Sequence, residues 1–145
     1  MGKIVSINIS PGKGTAKQAV EQAEVLCDHG IVGDAHAGNW HRQISLLAIE
    51  GIHRMIDKGL DLRPGSFAEN ITTEGLDLAN LNIGTRIISG NVEMEITQKG
   101  KKCHTTCNIY HTIGDCIMPR EGVFAKIITP GILCKGADLS VKEAW

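Results

Sequence analysis

The chain is 145 residues long and carries a formal charge of −1, with charges of both signs spread along it. That length suits one domain with one good core, and the charge pattern gives no reason to expect nucleic acid or a membrane surface as partner. With two Trp, one Tyr and two Phe, a stacking platform for bases is excluded too.

The N-terminus, MGKIVSINIS, shows neither a long apolar region nor a small-residue cleavage site, and no membrane-spanning run follows. The expected location is cytoplasmic. The five cysteines are an odd number, which in a reducing compartment argues against a disulfide framework. The sequons at Asn8 and Asn70 then carry no meaning.

Lys3 to Ser10 alternates and predicts a strand, with Val5, Ile7 and Ile9 on one face and Pro11-Gly12 ending it. The Gly12-Lys13-Gly14-Thr15 stretch does not match a phosphate loop, because the lysine lies between the glycines. Ala16 to Cys27 fits two patterns. Ala16, Ala19, Val20, Ala23 and Leu26 form a helical stripe, while Ala23, Val25 and Cys27 fit one face of a strand. Cys27 reads as a small buried apolar residue.

Gly30 to Gln43, GIVGDAHAGNWHRQ, is rich in glycine and in hydrogen-bonding side chains. Two readings stand side by side: a loop folded around a ligand, with Asp34 and His36 inside it, or a solvated loop with a capping Asp. Arg42 and Gln43 lead directly into Ile44 to Ala48, so a strand starting there would fix the guanidinium at its mouth. A fixed guanidinium suits a phosphate or a carboxylate.

Ile49 to Lys58 predicts a helix, with Ile49, Ile52 and Ile56 inward, His53 on the polar side and Gly59 at the C′ position. Arg63-Pro64-Gly65 is a turn. Glu69 and Asn70 stand at the entrance of the β-branched run Ile71 to Thr73, either as an acid and amide reaching into a pocket or as partners of turn backbone. Leu76 to Ile83 has the character of a 3₁₀ connection. Arg86 to Ile88 and Val92 to Thr97 predict a hairpin turning at Gly90-Asn91, with Val92, Met94 and Ile96 in the core. Val123 to Thr129 is another strand, Pro130-Gly131 a turn, and Leu139 to Val141 the last strand. About seven short strands and one clear helix argue for a mainly-β barrel or sandwich with short helical insertions.

The stretch from Gly100 to Glu121 holds three of the five cysteines, Cys103, Cys107 and Cys116, and two of the six histidines, His104 and His111. Lys101 and Lys102 precede Cys103, and nearby cations stabilise a thiolate. Three readings compete. Cys103 is a reactive thiol that carries sulfur or ligates a soft metal; or Cys103, Cys107, His111 and Cys116 form a structural zinc site, which their spacing argues against; or all are ordinary buried thiols.

The motifs GDAHAG (Gly33 to Gly38), HRQISLL (His41 to Leu47), PGSFAENITTEGLDL (Pro64 to Leu78), IGTRIISG (Ile83 to Gly90), GKKCHTTCNI (Gly100 to Ile109), GDCIMPREGVFAKI (Gly114 to Ile127) and Gly136-Ala137-Asp138 follow one another in an order that resembles small stand-alone bacterial MOSC-domain proteins. The resemblance covers nearly the whole chain, as one MOSC domain over 1–145. It implies a β-barrel-like fold and favours a strand over Ala23 to Cys27. It also implies a molybdenum-cofactor (molybdopterin) handling protein in which Cys103 carries a persulfide or ligates molybdenum. His36, Arg42 and Lys102 would then hold the anionic pterin phosphate, and Asp34, Gln43, Glu69 and Asn70 would complete the pocket.

In relatives that reduce N-hydroxylated compounds the corresponding cysteine ligates the metal, so a reductase working with a separate electron donor is one alternative. A zinc-stabilised interaction module is another. The PLP-binding desulfurase domain of the fused sulfurases has no counterpart in this sequence, so PLP is not expected. A molybdenum-cofactor biosynthesis protein or a cysteine desulfurase-type protein is implied as partner.

Overall fold

Alternating apolar residues and regularly spaced turns give this chain its strands, and what remains is how they close. The computed structural model describes residues 2–12, 18–35, 37–57, 69–99 and 122–142. Within these, the strands are β1 (Gly2–Ile9), β2 (Gln18–Val20), β3 (Gln22–Leu26), β4 (Gly30–Ile31), β5 (Ile44–Ala48), β6 (Ile71–Glu74), β7 (Arg86–Ser89), β8 (Val92–Lys99), β9 (Val123–Thr129), β10 (Gly131–Cys134) and β11 (Asp138–Lys142). One helix, α1 (Ile49–Ile56), and a 3₁₀ turn at Leu78–Asn80 complete them.

The larger sheet runs β11-β7-β8-β9-β5-β6-β1, and pairing of β11 with β1 closes it into a seven-stranded barrel. Closure removes the free edges that an open sheet would expose. The closing ladder is short, Gly2 against Leu139 and Lys3 against Asp138. β2 adds to the far end of β1, and β10-β3-β4 form a separate three-stranded sheet.

The barrel is filled by Ile4, Ile7, Ile44, Leu46, Ile71, Ile87, Met94 and Ile96, each no more than 1% exposed. The β7–β8 hairpin follows its alternation, with Val92, Met94 and Ile96 inward. Its outer face carries Arg86 paired with Glu93 and Glu95. In the turn, Gly90 alone has a positive φ (58°), the arrangement of a turn whose first central residue must be glycine. That accounts for the Gly-Asn order, the reverse of the commoner Asn-Gly.

β5 and β6 are parallel, the single such pairing among the described strands. Parallel neighbours need a crossover, and α1 supplies it. The helix packs on both strands and buries Ile49 and Ile52, while Ile56 is 37% exposed. It ends at Ile56; Lys58 and Gly59 lie outside the described residues. Among the described residues no helix is long and apolar enough to cross a membrane.

Of the two patterns that Ala16 to Cys27 fits, residues 18–26 adopt the strand, as β2 and β3. Three expectations need correction. In β1 the inward residues are Ile4 and Ile7, not Val5, Ile7 and Ile9, because a bulge between Ile4 and Ser6 shifts the phase of the alternation. Cys27 is exposed, in the turn after β3, where its thiol donates to the Ile128 carbonyl (3.1 Å). Pro130-Gly131 opens strand β10, which pairs with β3 from Gly131 to Cys134.

Candidate functional site: an arginine receptor at the mouth of the barrel

β5 enters the barrel at Ile44, so Arg42 and Gln43 stand at its mouth. The two side chains diverge. Gln43 turns inward, is 3% exposed, and its Oε1 accepts from the Ile127 amide at 2.9 Å. It continues the β5–β9 ladder, which ends at Ile44 opposite Ala125. Its backbone is equally confined: a Cβ on Gly30 would sit 2.4 Å from the Gln43 carbonyl oxygen, and Gly30 has φ +112°. Only glycine lets β4 approach so closely.

Arg42 stays half-buried at the surface. Its guanidinium carbon lies 5.3 Å from the centre of the Phe124 ring and 5.8 Å from that of Trp40. Both distances are in cation–π range. Its Nε donates to Gln98 Oε1 at 3.0 Å, and His41 Nε2 lies 2.9 Å from the same oxygen. Trp40 and His41 meet edge to face at 5.9 Å. Among the described residues no carboxylate pairs with Arg42. Its two terminal nitrogens have no hydrogen-bond partner among the described residues, and such a fork matches a phosphate or carboxylate.

Glu69 and Asn70 stand at the start of β6, the parallel neighbour of β5, and both are buried. Asn70 Oδ1 accepts from the Ser45 amide (3.0 Å) and the Ser45 hydroxyl (3.2 Å), and Asn70 Nδ2 donates to the Asn8 carbonyl (3.1 Å). The Thr72 hydroxyl donates to Glu69 Oε2 (2.7 Å), and Asn8 Nδ2 reaches the Glu69 and Asn70 carbonyls and Thr72 Oγ1. Ser6 donates to Asn8 Oδ1 (2.8 Å). This polar seam ties β1, β5 and β6 together. Asp34 extends it: its Oδ1 accepts from the Ser10 amide (2.9 Å), fixing the glycine-rich loop to the end of β1.

The candidate residues thus divide into two groups. Asp34, Gln43, Glu69 and Asn70 bond to backbone or to buried side chains, while Arg42 presents an open fork. His36, Lys102 and Cys103 lie outside the described residues, as do Cys107, His111 and Cys116 of the zinc reading. Among the described residues no group of three His, Cys, Asp or Glu is placed to hold a metal.

Sequence reasoning missed Trp40, Gln98 and Phe124. A signal existed for two of them: in a chain with five aromatic residues, Trp40 lies in the glycine-rich stretch two residues before Arg42, and Phe124 in the motif Gly114 to Ile127. Nothing local marks Gln98, whose bond to Arg42 spans 56 residues.

A cavity of about 360 Å³ opens at the other end of β5 and β6, lined by Ala48, Glu50, Gly51, Arg54, Gly75 and Leu76 among others. Glu50 there accepts from the Gly75 amide (2.9 Å).

A closed barrel of seven strands with a parallel β5–α1–β6 crossover and an arginine at its mouth defines the class of fold. The MOSC domain family matches residues 33–140, and the chain belongs to that family, which is generally associated with molybdenum-cofactor binding. Among solved structures it is similar to the YuaD protein from Bacillus subtilis, with TM-score 0.80 and 20% identity over 97% of this chain and 96% of that one. YiiM from Geobacillus stearothermophilus matches with TM-score 0.72 and 20% identity, over 99% of this chain and 76% of that one. YiiM from Escherichia coli matches with TM-score 0.69 and 18% identity, over 97% and 70%. At these identities the likeness is one of fold. No curated protein matches the chain.

Proposed function

We propose that this protein binds the molybdenum cofactor and carries sulfur to it, with Cys103 as the thiol that holds the sulfur or ligates the metal. The observation that carries the binding half is the Arg42 receptor. A guanidinium stacked on two rings, oriented through Nε and lacking an acidic partner among the described residues, fits the anionic phosphate of a pterin. Trp40, 44% exposed beside it, offers a face for a planar ring. When bound, the cofactor supplies molybdenum on a pterin bearing that phosphate. Arg42 would hold the phosphate, with His36 and Lys102 as further candidate donors.

Chain connectivity supports the Cys103 half. Lys99 and Val123, which flank the Cys103 stretch closely in sequence, pair in adjacent strands. Cys103 is four residues beyond Lys99 in sequence. Gln98 and Phe124, which form the Arg42 receptor, adjoin these two residues. That connection supports the reading in which cysteine and arginine, 61 positions apart in sequence, serve one site.

In the sulfur-carrier reading the Cys103 thiolate attacks the outer sulfur of a persulfide on a desulfurase-type partner. The partner leaves as its thiolate and Cys103 gains the persulfide, with no net redox change. Loading of molybdopterin and of persulfide is to be measured in wild type and in Cys103→Ser after exposure to such a donor. Persulfide lost in the variant is the expected result. Equal loading of both species in both proteins would sink the role of Cys103.

A further inference from the structure

The Arg42 receptor depends on a residue that carries no charge. We propose that Gln98 is a positioning residue that sets the receptor's affinity for phosphate by orienting Arg42 and His41 without neutralising the guanidinium. The inference rests on the reading of Arg42 as an anion receptor and adds to it the device that keeps the receptor charged.

The geometry is specific. A guanidinium has only donors, so the Gln98 atom facing Arg42 Nε must be the carboxamide oxygen. That assignment fixes His41 as well. The same oxygen lies 2.9 Å from His41 Nε2, which must then present a proton to it. One neutral oxygen therefore uses both lone pairs to hold two nitrogen donors, and among the described residues nothing else takes up the two terminal nitrogens of Arg42.

A β-bulge makes this possible. Along the β8–β9 ladder Ile96 pairs with Ala125, and the next pair is Gln98 with Phe124, so Thr97 is the extra residue. Without it, Thr97 would occupy the place opposite Phe124, and Gln98 would move one position on and change face. The bulge thus puts the carboxamide beside the ring over which Arg42 lies. Thr97 secures the arrangement, since its hydroxyl contacts the carbonyls of His41 and Phe124.

Glutamate at this position would offer the same acceptor at the same reach. It would also place a negative charge against Arg42 and form an ion pair that Arg42 does not make with any described residue. An incoming phosphate would then compete with a resident carboxylate. The choice of amide over acid is a choice of charge, not of shape.

The test uses the full-length protein, with inorganic phosphate and phenyl phosphate as probes, in calorimetric titrations of wild type, Gln98→Glu, Gln98→Ala and Arg42→Met at low salt. Wild type should bind both probes and Arg42→Met neither. Gln98→Glu should lose at least tenfold in affinity and Gln98→Ala only a few-fold. A purely structural role for Gln98 predicts the opposite rank, since the glutamate keeps the acceptor that the alanine deletes. The thermal midpoint of Gln98→Glu should equal or exceed that of wild type, separating lost charge from lost fold. If Arg42→Met binds like wild type, or wild type binds neither probe, the anion-receptor reading falls and this inference with it. If Arg42→Met loses binding but Gln98→Glu binds as well as Gln98→Ala or better, only the role of Gln98 is overturned.

Discussion

Two polar regions serve the barrel in opposite ways. The seam of Ser6, Asn8, Ser45, Glu69, Asn70 and Thr72 is buried, and its side chains bond across three strands. Arg42, the proposed receptor, stands at the mouth with its Nε engaged and its two terminal nitrogens without a partner among the described residues. In the seam, desolvation makes every partner mandatory, because an unpaired buried polar group costs more than a hydrogen bond returns. At the mouth water satisfies what protein does not, and a charged group can wait for a ligand. Polar residues therefore say little about function until their partners are known. Arg42 and Gln43, adjacent in sequence, fall on opposite sides of this division.

The largest expected effect tests the seam. Asn70→Ala removes the acceptor for two Ser45 donors and the donor to the Asn8 carbonyl. Stranding these groups should cost about 3 kcal/mol or more in a urea titration. Phosphate affinity of the folded fraction should stay within twofold of wild type. A selective loss of affinity without a loss of stability would move Asn70 to the ligand side and break the comparison.

A smaller effect sharpens it from within. Thr73, on β6 beside the seam, is fully buried, and its hydroxyl has no hydrogen-bond partner among the described residues. Thr73→Val keeps the shape, removes the unpaired group and suits a strand. The variant should be more stable by roughly 1 kcal/mol. Destabilisation of similar size would mean that the hydroxyl is satisfied and that the seam extends one residue further along β6.

How much of this was legible in the sequence follows the same division. The β7–β8 hairpin, β9 and β11 were readable because each alternates against one buried face. Arg42 was readable because a cation directly before an apolar strand has few places to go. The seam was not. Ser6 and Asn8 alternate with apolar residues and read as a solvent face, yet both are buried. The bulge in β1 also put Ile4 rather than Val5 inward beside Ile7, and no local signal announces a bulge. Gln98 was invisible because its value lies in two residues that the chain brings to it from 56 and 57 positions away. β10 was lost to Pro130, the single residue between β9 and β10, which with Gly131 reads as a turn.

The smallest predicted effect decides whether the thiol chemistry can be read cleanly. Cys27 and Cys134 are both exposed, and Cys27 donates to the Ile128 carbonyl at 3.1 Å. Either would take up sulfur or an alkylating probe in an assay aimed at Cys103, because accessible thiols exchange with persulfides. Serine preserves a donor at Cys27, and neither side chain fills the core. The double variant Cys27→Ser, Cys134→Ser should change stability by less than about 0.5 kcal/mol. In that background the persulfide signal should persist and then vanish on Cys103→Ser. A signal already lost in the double variant would assign the sulfur to the exposed face of the small sheet or its adjoining turn, not to the mouth of the barrel where Arg42 waits.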